Sequence, residues 1–419
     1  MSVAIVHRET CRLCDSGKVE LVVKLHPVPL AEKYTSSADE ARQAPKFPID
    51  LYMCNDCSHV QILDVINSQN LWEDYTYHSG QTQGIVNHFK EVAEKVISQY
   101  APTAGGLVID VGSNDGTLLR FFKNAGYKVH GVDPAKDIAR KATESGIETT
   151  ASVLTPQVAH DIRSQCGAAS VVTAFNVYAH ADNLSDMTIA IRSMLAQDGI
   201  FVFEVQYLLD IVEKVLIGTI FHEHMSHHSI KPLIQFLDRH DLELIDVERV
   251  SIQKGSIIGV AQPKGGPRKK AAAVDELLQL EKQHNLHQIA VMKDFDARIE
   301  GNREVARQLM AEWKKLGYTV AGYGAARSGP TLMAQFEFND IIEYIFDDHP
   351  QKVNRFSPGA CAPVVPTADL SRRKPDVVII LAWIHARAII EKSQDYLNAG
   401  GKFVVCTPDV RVIDKTNPL

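Results

Sequence analysis

Three observations predict an α/β protein built from a small N-terminal module and two doubly wound domains. Residues 1–75 carry two Cys-x-x-Cys pairs among prolines and short alternating runs. Residues 76–265 alternate β-branched runs with amphipathic stretches, the pattern of βαβ units on a parallel sheet. After a helical spacer, the same alternation returns within 266–419. A chain of 419 residues holds two or three domains at about 150 residues each.

Composition narrows the class. With 45% apolar and 23% charged residues the chain is neither disordered nor collagen-like. A net charge of −7 gives no reason to expect a nucleic-acid partner. The longest apolar run, Val377 to Ile384, is far below the roughly 20 residues that span a bilayer. No secretion signal opens the sequence, so a soluble, cytoplasmic protein without a membrane partner is expected.

In the N-terminal module, Cys11/Cys14 and Cys54/Cys57 each place two thiolates on one tight turn. Four such ligands close a tetrahedral shell for Zn²⁺ and leave no open position, so the predicted zinc is structural. A redox pair is the competing reading, but neither pair sits in a strand–helix context. Zinc would supply folding energy to a module too small for a large core. Cys166, Cys361 and Cys406 lie in patterned apolar segments and are expected to be buried thiols.

In the central domain, strands are predicted at Gly106–Val111, Lys128–Val132, Ala169–Ala174 and Ile200–Val205, with helices at Thr117–Ala125 and Lys136–Ser145. The turn Asp110-Val-Gly112-Ser-Asn114-Asp115-Gly116 lacks the G-x-G-x-x-G fingerprint. Carboxylates there repel a pyrophosphate but suit a cation such as the sulfonium of S-adenosylmethionine. Asp133 ends the second strand, where a carboxylate can accept ribose hydroxyls. Asp110, Gly112, Asn114, Asp115, Asp133 and Asn176 are the candidate methyl-donor residues; a generic α/β turn without ligand is the bland alternative.

Two histidine segments follow. Asn176-Val-Tyr-Ala-His180 leaves the carboxyl edge of the sheet, where His180 can face a ligand or lie in solvent. The run Phe221-His222-Glu223-His224 continues to His227 and His228, titratable groups that are hard to bury without partners. An exposed loop and a metal site compete with a catalytic reading. In extended conformation His222 and His224 would share one face, with Glu223 opposite. A histidine base beside a methyl donor implies a nucleophile made by deprotonation.

The last third begins with a basic Gly/Pro-rich linker candidate, 262–270, and one or two long helices over 272–316. Strands are predicted at Tyr318–Gly322, Ile341–Phe346, Asp376–Leu381 and Lys402–Cys406.

Taken together, C-x-x-C…C-x-x-C, D-V-G-S-N-D-G-T-L, N-V-x-A-H and T-I-F-H-E-H-x-S resemble the zinc-containing, S-adenosylmethionine-dependent sugar C-methyltransferases. The resemblance runs along almost the whole chain. It implies a zinc module, a class I methyltransferase domain and a Rossmann-like C-terminal domain that helps hold the substrate. It also implies methylation of C3 of a nucleotide-diphosphate 4-keto-deoxysugar by way of an enolate. By its motifs His224 after Glu223 corresponds to the catalytic base, His180 to the second histidine, and Tyr77 (or Tyr75) to a module-end tyrosine. Gln81 and Gln83, the latter favoured, correspond to positions near the methionine part of the donor. Two departures stand out: Phe221 replaces a usual Tyr, and Gly324-Ala-Ala-Arg327-Ser-Gly-Pro330-Thr carries Arg for Lys and Pro for Asn. Arg327 remains a phosphate-competent cation. A monomer or small homo-oligomer is expected. Other readings are a small-molecule O- or N-methyltransferase, an NAD-dependent nucleotide-sugar oxidoreductase using Gly322-x-Gly324 and Asp347-Asp348, and a non-catalytic zinc scaffold.

Overall fold

The computed structural model describes residues 5–66 and 78–418. Its central sheet has seven strands in the order Thr149–Thr150, Lys128–Val132, Leu107–Val111, Ala169–Phe175, Leu195–Gln206, Ser256–Pro263, Leu242–Val250. The first five are parallel, as the alternation predicts. The last two form an antiparallel hairpin against Leu195–Gln206, so the sheet is mixed. Leu107–Val111 and Ala169–Phe175 are buried along their whole length, which explains their continuous apolar runs. The order reverses between these two strands, and the loops 112–116 and 176–180 leave side by side at that point.

The C-terminal sheet repeats the scheme. Its strands run Val364–Val365, Tyr344–Phe346, Val320–Tyr323, Val377–Ile380, Lys402–Val405, with Arg411–Ile413 antiparallel at the edge. The spacer is two helices, Ala272–Gln283 and Ile289–Leu316. The candidate linker 262–270 is held down rather than loose: Arg268 donates to the carbonyls of Tyr100 and Asp198.

The N-terminal module contributes Val19–Val23, Leu51–Cys54 and Val60–Ile62 to a four-stranded antiparallel sheet. The fourth strand, Ser226–His227, comes from the central part of the chain and pairs with Val60 and Gln61. The long helix Ile289–Leu316 fastens the module from the other side, with Asp296 accepting from the Lys24 amide at 3.0 Å and Lys293 meeting Glu20 at 3.0 Å. Gln335 exchanges both amide hydrogen bonds with the His26 backbone. Buried side chains from all three regions form one continuous core. Among the described residues, no helix is long and apolar enough to cross a membrane.

One cysteine expectation is corrected. Cys406 is buried, but Cys361 is only half-buried and Cys166 is exposed. Cys166 is the last residue of the helix Pro156–Cys166, whose buried side chains are Ala159 and Ile162; by Cys166 the helix has run past the core.

Candidate active site

The two cysteine knuckles are built alike. Cys11 N–H donates to Ser16 O and Asp15 N–H returns to Cys11 O; Cys54 N–H donates to His59 O and Ser58 N–H returns to Cys54 O. The four sulfurs lie within 4.8 Å of one another, with Cys14–Cys54 at 3.4 Å and Cys11–Cys57 at 3.6 Å. A tetrahedral shell with Zn–S of about 2.3 Å has sulfurs about 3.8 Å apart, so the cluster fits zinc. Among the described residues no other group of three or more metal-ligating side chains converges, in the His-Glu-His run or elsewhere.

The donor loop starts with Gly112 at φ +73°, where a Cβ would lie 2.2 Å from the Val177 side chain. Only glycine lets the two switch-point loops approach this closely. Gly112 N–H donates to Val132 O, and Asp133 accepts from the amides of Asn114 and Ala135, both at 2.8 Å. Asn114 in turn accepts from Ser79 N–H, and Asp115 from Gly80 N–H and the Thr117 hydroxyl. Asp110 is buried against the Thr173 hydroxyl at 2.6 Å, and burial pushes its carboxyl up to about 7. Four carboxyl or amide groups of the predicted set therefore meet around one sheet edge, but Asp110 and Asp115 mainly brace the loop. Gln83 is exposed and donates to Asn87 one turn along its helix.

Sequence reading missed the support of Asn176. This residue sits at φ +55°, with its amide donating to Glu204 Oε1 at 2.9 Å. The other Glu204 oxygen meets His88 Nε2 at 2.5 Å, and Glu204 is fully buried. Burial opposes charge on His88, but Glu204 outweighs it and raises the imidazole above its ordinary value. The signal was faint: one acid in the apolar run Ile200–Val205.

The second cluster is different in kind. A turn, not an extended strand, carries residues 221–224, closed by His224 N–H donating to Phe221 O. His222 therefore points away from His224, its Nε2 3.3 Å from Phe47 O. His224 Nδ1 donates to Thr219 O at 2.6 Å, which leaves the lone pair on Nε2. Orientation of this ring belongs to a backbone carbonyl rather than to Glu223. Within the stretch 217–230 His224 alone is not fully buried. His180 stacks on it at 5.1 Å and 20°, and the Phe221 ring lies tilted against it at 4.0 Å. Burial holds His224 down to about 4, with the Thr219 carbonyl opposing and Arg327 adding to the effect. His224 is accordingly neutral at physiological pH.

Glu223 is buried and pairs with Arg327 of the C-terminal domain at 3.0 Å. Sequence reading had given Arg327 to phosphate. The module reaches this cluster too: Arg12, buried between Cys11 and Cys14, donates to Met225 O and meets Asp182 at 3.2 Å. Tyr75 and Tyr77 lie outside the described residues.

Residues 11–72 match the family described as "Putative zinc binding domain", 86–247 the "Methyltransferase domain", and 251–408 the "C-methyltransferase C-terminal domain". The C-methyltransferase NovU of Streptomyces niveus is 31% identical over 412 residues, covering 98% of each chain. The chain belongs to the C-methyltransferase family. It is an S-adenosylmethionine-dependent enzyme with a zinc-binding N-terminal module. Carbon as the acceptor sets aside the O- or N-methyltransferase, oxidoreductase and scaffold readings. Among solved structures, magnesium protoporphyrin IX methyltransferase of Synechocystis PCC 6803 with bound SAH is 17% identical, over 46% of this chain and 91% of its own, at a TM-score of 0.34. The PH0226 protein of Pyrococcus horikoshii OT3 is 16% identical, over 46% and 99%, at a TM-score of 0.36.

Proposed function

We propose that the enzyme methylates C3 of a nucleotide-diphosphate 4-keto-deoxysugar, and that the units 1–75, 76–265 and 266–419 hold zinc, methyl donor and nucleotide sugar. The observation that carries the reading is His224: tautomer fixed by Thr219, Nε2 lone pair available, and a partly exposed ring among buried neighbours. A neutral imidazole so placed takes a proton from a carbon acidified by an adjacent ketone. The C3–H electrons move into a C3–C4 double bond and onto the ketone oxygen, giving an enolate. His180, stacked against the base, is placed to donate to that oxygen. S-adenosylmethionine supplies the electrophilic methyl: C3 forms the new bond as the sulfur–methyl bond breaks, leaving S-adenosylhomocysteine. Asp133, Gly112, Asn114 and Asn176 position the donor.

The C-terminal domain supports the nucleotide part of the reading. Gly324, at φ +93°, donates to Phe346 O, and Asp347 accepts from Ala325 and His349 amides at 2.7 and 2.8 Å. Gly112 and Asp133 make the same frame, and Asp347 is placed as a ribose-binding acid is.

The test is His224→Asn with labelled methyl donor and a panel of nucleotide-linked 4-keto sugars. Exchange of the C3 hydrogen with solvent should fall at least about 1,000-fold with donor affinity unchanged. Exchange at the wild-type rate would remove His224 from the base role.

A further inference from the structure

We propose that Arg327 is a positioning residue of the proton-transfer site, a cation from the C-terminal domain that holds the Glu223 carboxylate, on the same turn as His224, ionised and in place only when the domains are docked. The inference rests on the reading of His224 as base.

Three contacts bring the C-terminal domain onto the turn that carries the base. Thr331 Oγ1 donates to Ile220 O at 3.2 Å. The Trp383 indole lies so close to Gly218 that a Cβ there would be 2.3 Å from Nε1. Arg327 NH1 meets Glu223 Oε1 at 3.0 Å. The first two set the depth of docking; the third reaches the catalytic turn itself. Arg327 leaves the loop that starts at Gly324, whose positive φ turns the chain sharply off the strand Val320–Tyr323.

A buried carboxylate needs a partner to stay ionised, because burial favours its neutral form. Burial raises the Glu223 carboxyl and Arg327 opposes that rise. The other oxygen, Oε2, is buried and accepts no hydrogen bond among the described residues. It is an ionised acceptor held ready for a donor that the bound substrate brings, such as a sugar hydroxyl. The same guanidinium lowers both His180 and His224. Around His224 stand Arg327, Glu223, His180 and His227, with Glu32 reaching Glu223 from the N-terminal module. Burial is the main reason the imidazoles stay neutral, and Arg327 adds to it; its larger effect is on Glu223, whose carboxylate it pairs at 3.0 Å.

The full-length, zinc-loaded enzyme carrying Arg327→Gln or Arg327→Lys tests this. Without substrate, ¹⁵N-histidine NMR, assigned with His224→Asn, should show His224 titrating about one pH unit higher in Arg327→Gln. With a 4-keto nucleotide sugar, kcat should fall about 100-fold in Arg327→Gln while the substrate KM and the S-adenosylhomocysteine Kd stay within about threefold. Arg327→Lys should recover most of the loss, and Arg327→Gln should add little on a Glu223→Gln background. A raised KM with unchanged kcat would overturn the proposal and return Arg327 to substrate binding; so would an unmoved His224 titration. Should the wild type turn over no 4-keto sugar, the substrate reading fails while the histidine titration still decides Arg327.

Discussion

Every part of the proposed donor site comes from the central domain, between Ser79 and Gln253, and its hydrogen bonds join loops and turns gathered at one edge of a single sheet. The proton-transfer cluster draws instead on Arg12 at one end of the chain and Arg327 toward the other, with Thr219 to Met225 between them. One site is a property of a sheet edge; the other exists only where three regions meet. The donor site should therefore survive damage to the module or to the C-terminal domain, and the base cluster should not.

Zinc removal is the largest test of that difference. The knuckle Cys54–Cys57 leads directly into Val60–Ile62, which pairs with Ser226–His227 two residues after His224. Chelation should lower turnover at least about 100-fold while S-adenosylhomocysteine, followed by calorimetry, binds within about threefold of its original affinity. Parallel loss of donor affinity would break the comparison.

A smaller effect runs the other way. Glu204→Gln removes the charge that holds Asn176 and His88. Donor Kd should weaken about tenfold, ~1.4 kcal/mol, with turnover at saturating donor nearly unchanged. Loss of turnover at saturation would join the two sites into one.

The mildest test is acid. His222 is held down to about 4, and His227 and His228 to about 3, chiefly by burial. Above about pH 7.5 these rings are largely neutral in folded and unfolded chains alike. As pH falls toward 4 the unfolded chain takes up protons that the folded one refuses, so stability declines through that window. Calorimetric Tm should drop from pH 6.5 to 4, and His228→Gln should flatten the drop.

Legibility in the sequence followed the same divide. The parallel strands, the Gly112 turn, Asp133 and the four zinc ligands were readable because each depends on neighbours a few residues away or on a repeating pattern. The antiparallel hairpin Leu242–Pro263 is not legible in the sequence, because alternating apolar and charged residues such as those of Leu242–Val250 do not reveal which strand they pair with. The turn at 221–224 has no signature in the sequence, because polar density rather than periodicity marks the segment. Arg327 looked like a phosphate ligand from its loop; only docking shows the carboxylate opposite. Thr219 opens the T-I-F-H-E-H-x-S motif, but its role is not readable from the residue type, since its carbonyl does the orienting.

The two-residue strand Ser226–His227 also bears on how the chain is made. His59 and its hydrogen-bond partner Ser226 are separated by 167 positions. At 5–20 residues per second, the zinc module emerges from the ribosome roughly 8 to 33 s before the strand that closes its sheet. During that interval Val60–Ile62 is a bare edge, the kind of surface that pairs with other chains. Early metal capture would hold the knuckle and its strand in register, making zinc supply a matter of biogenesis as well as of activity.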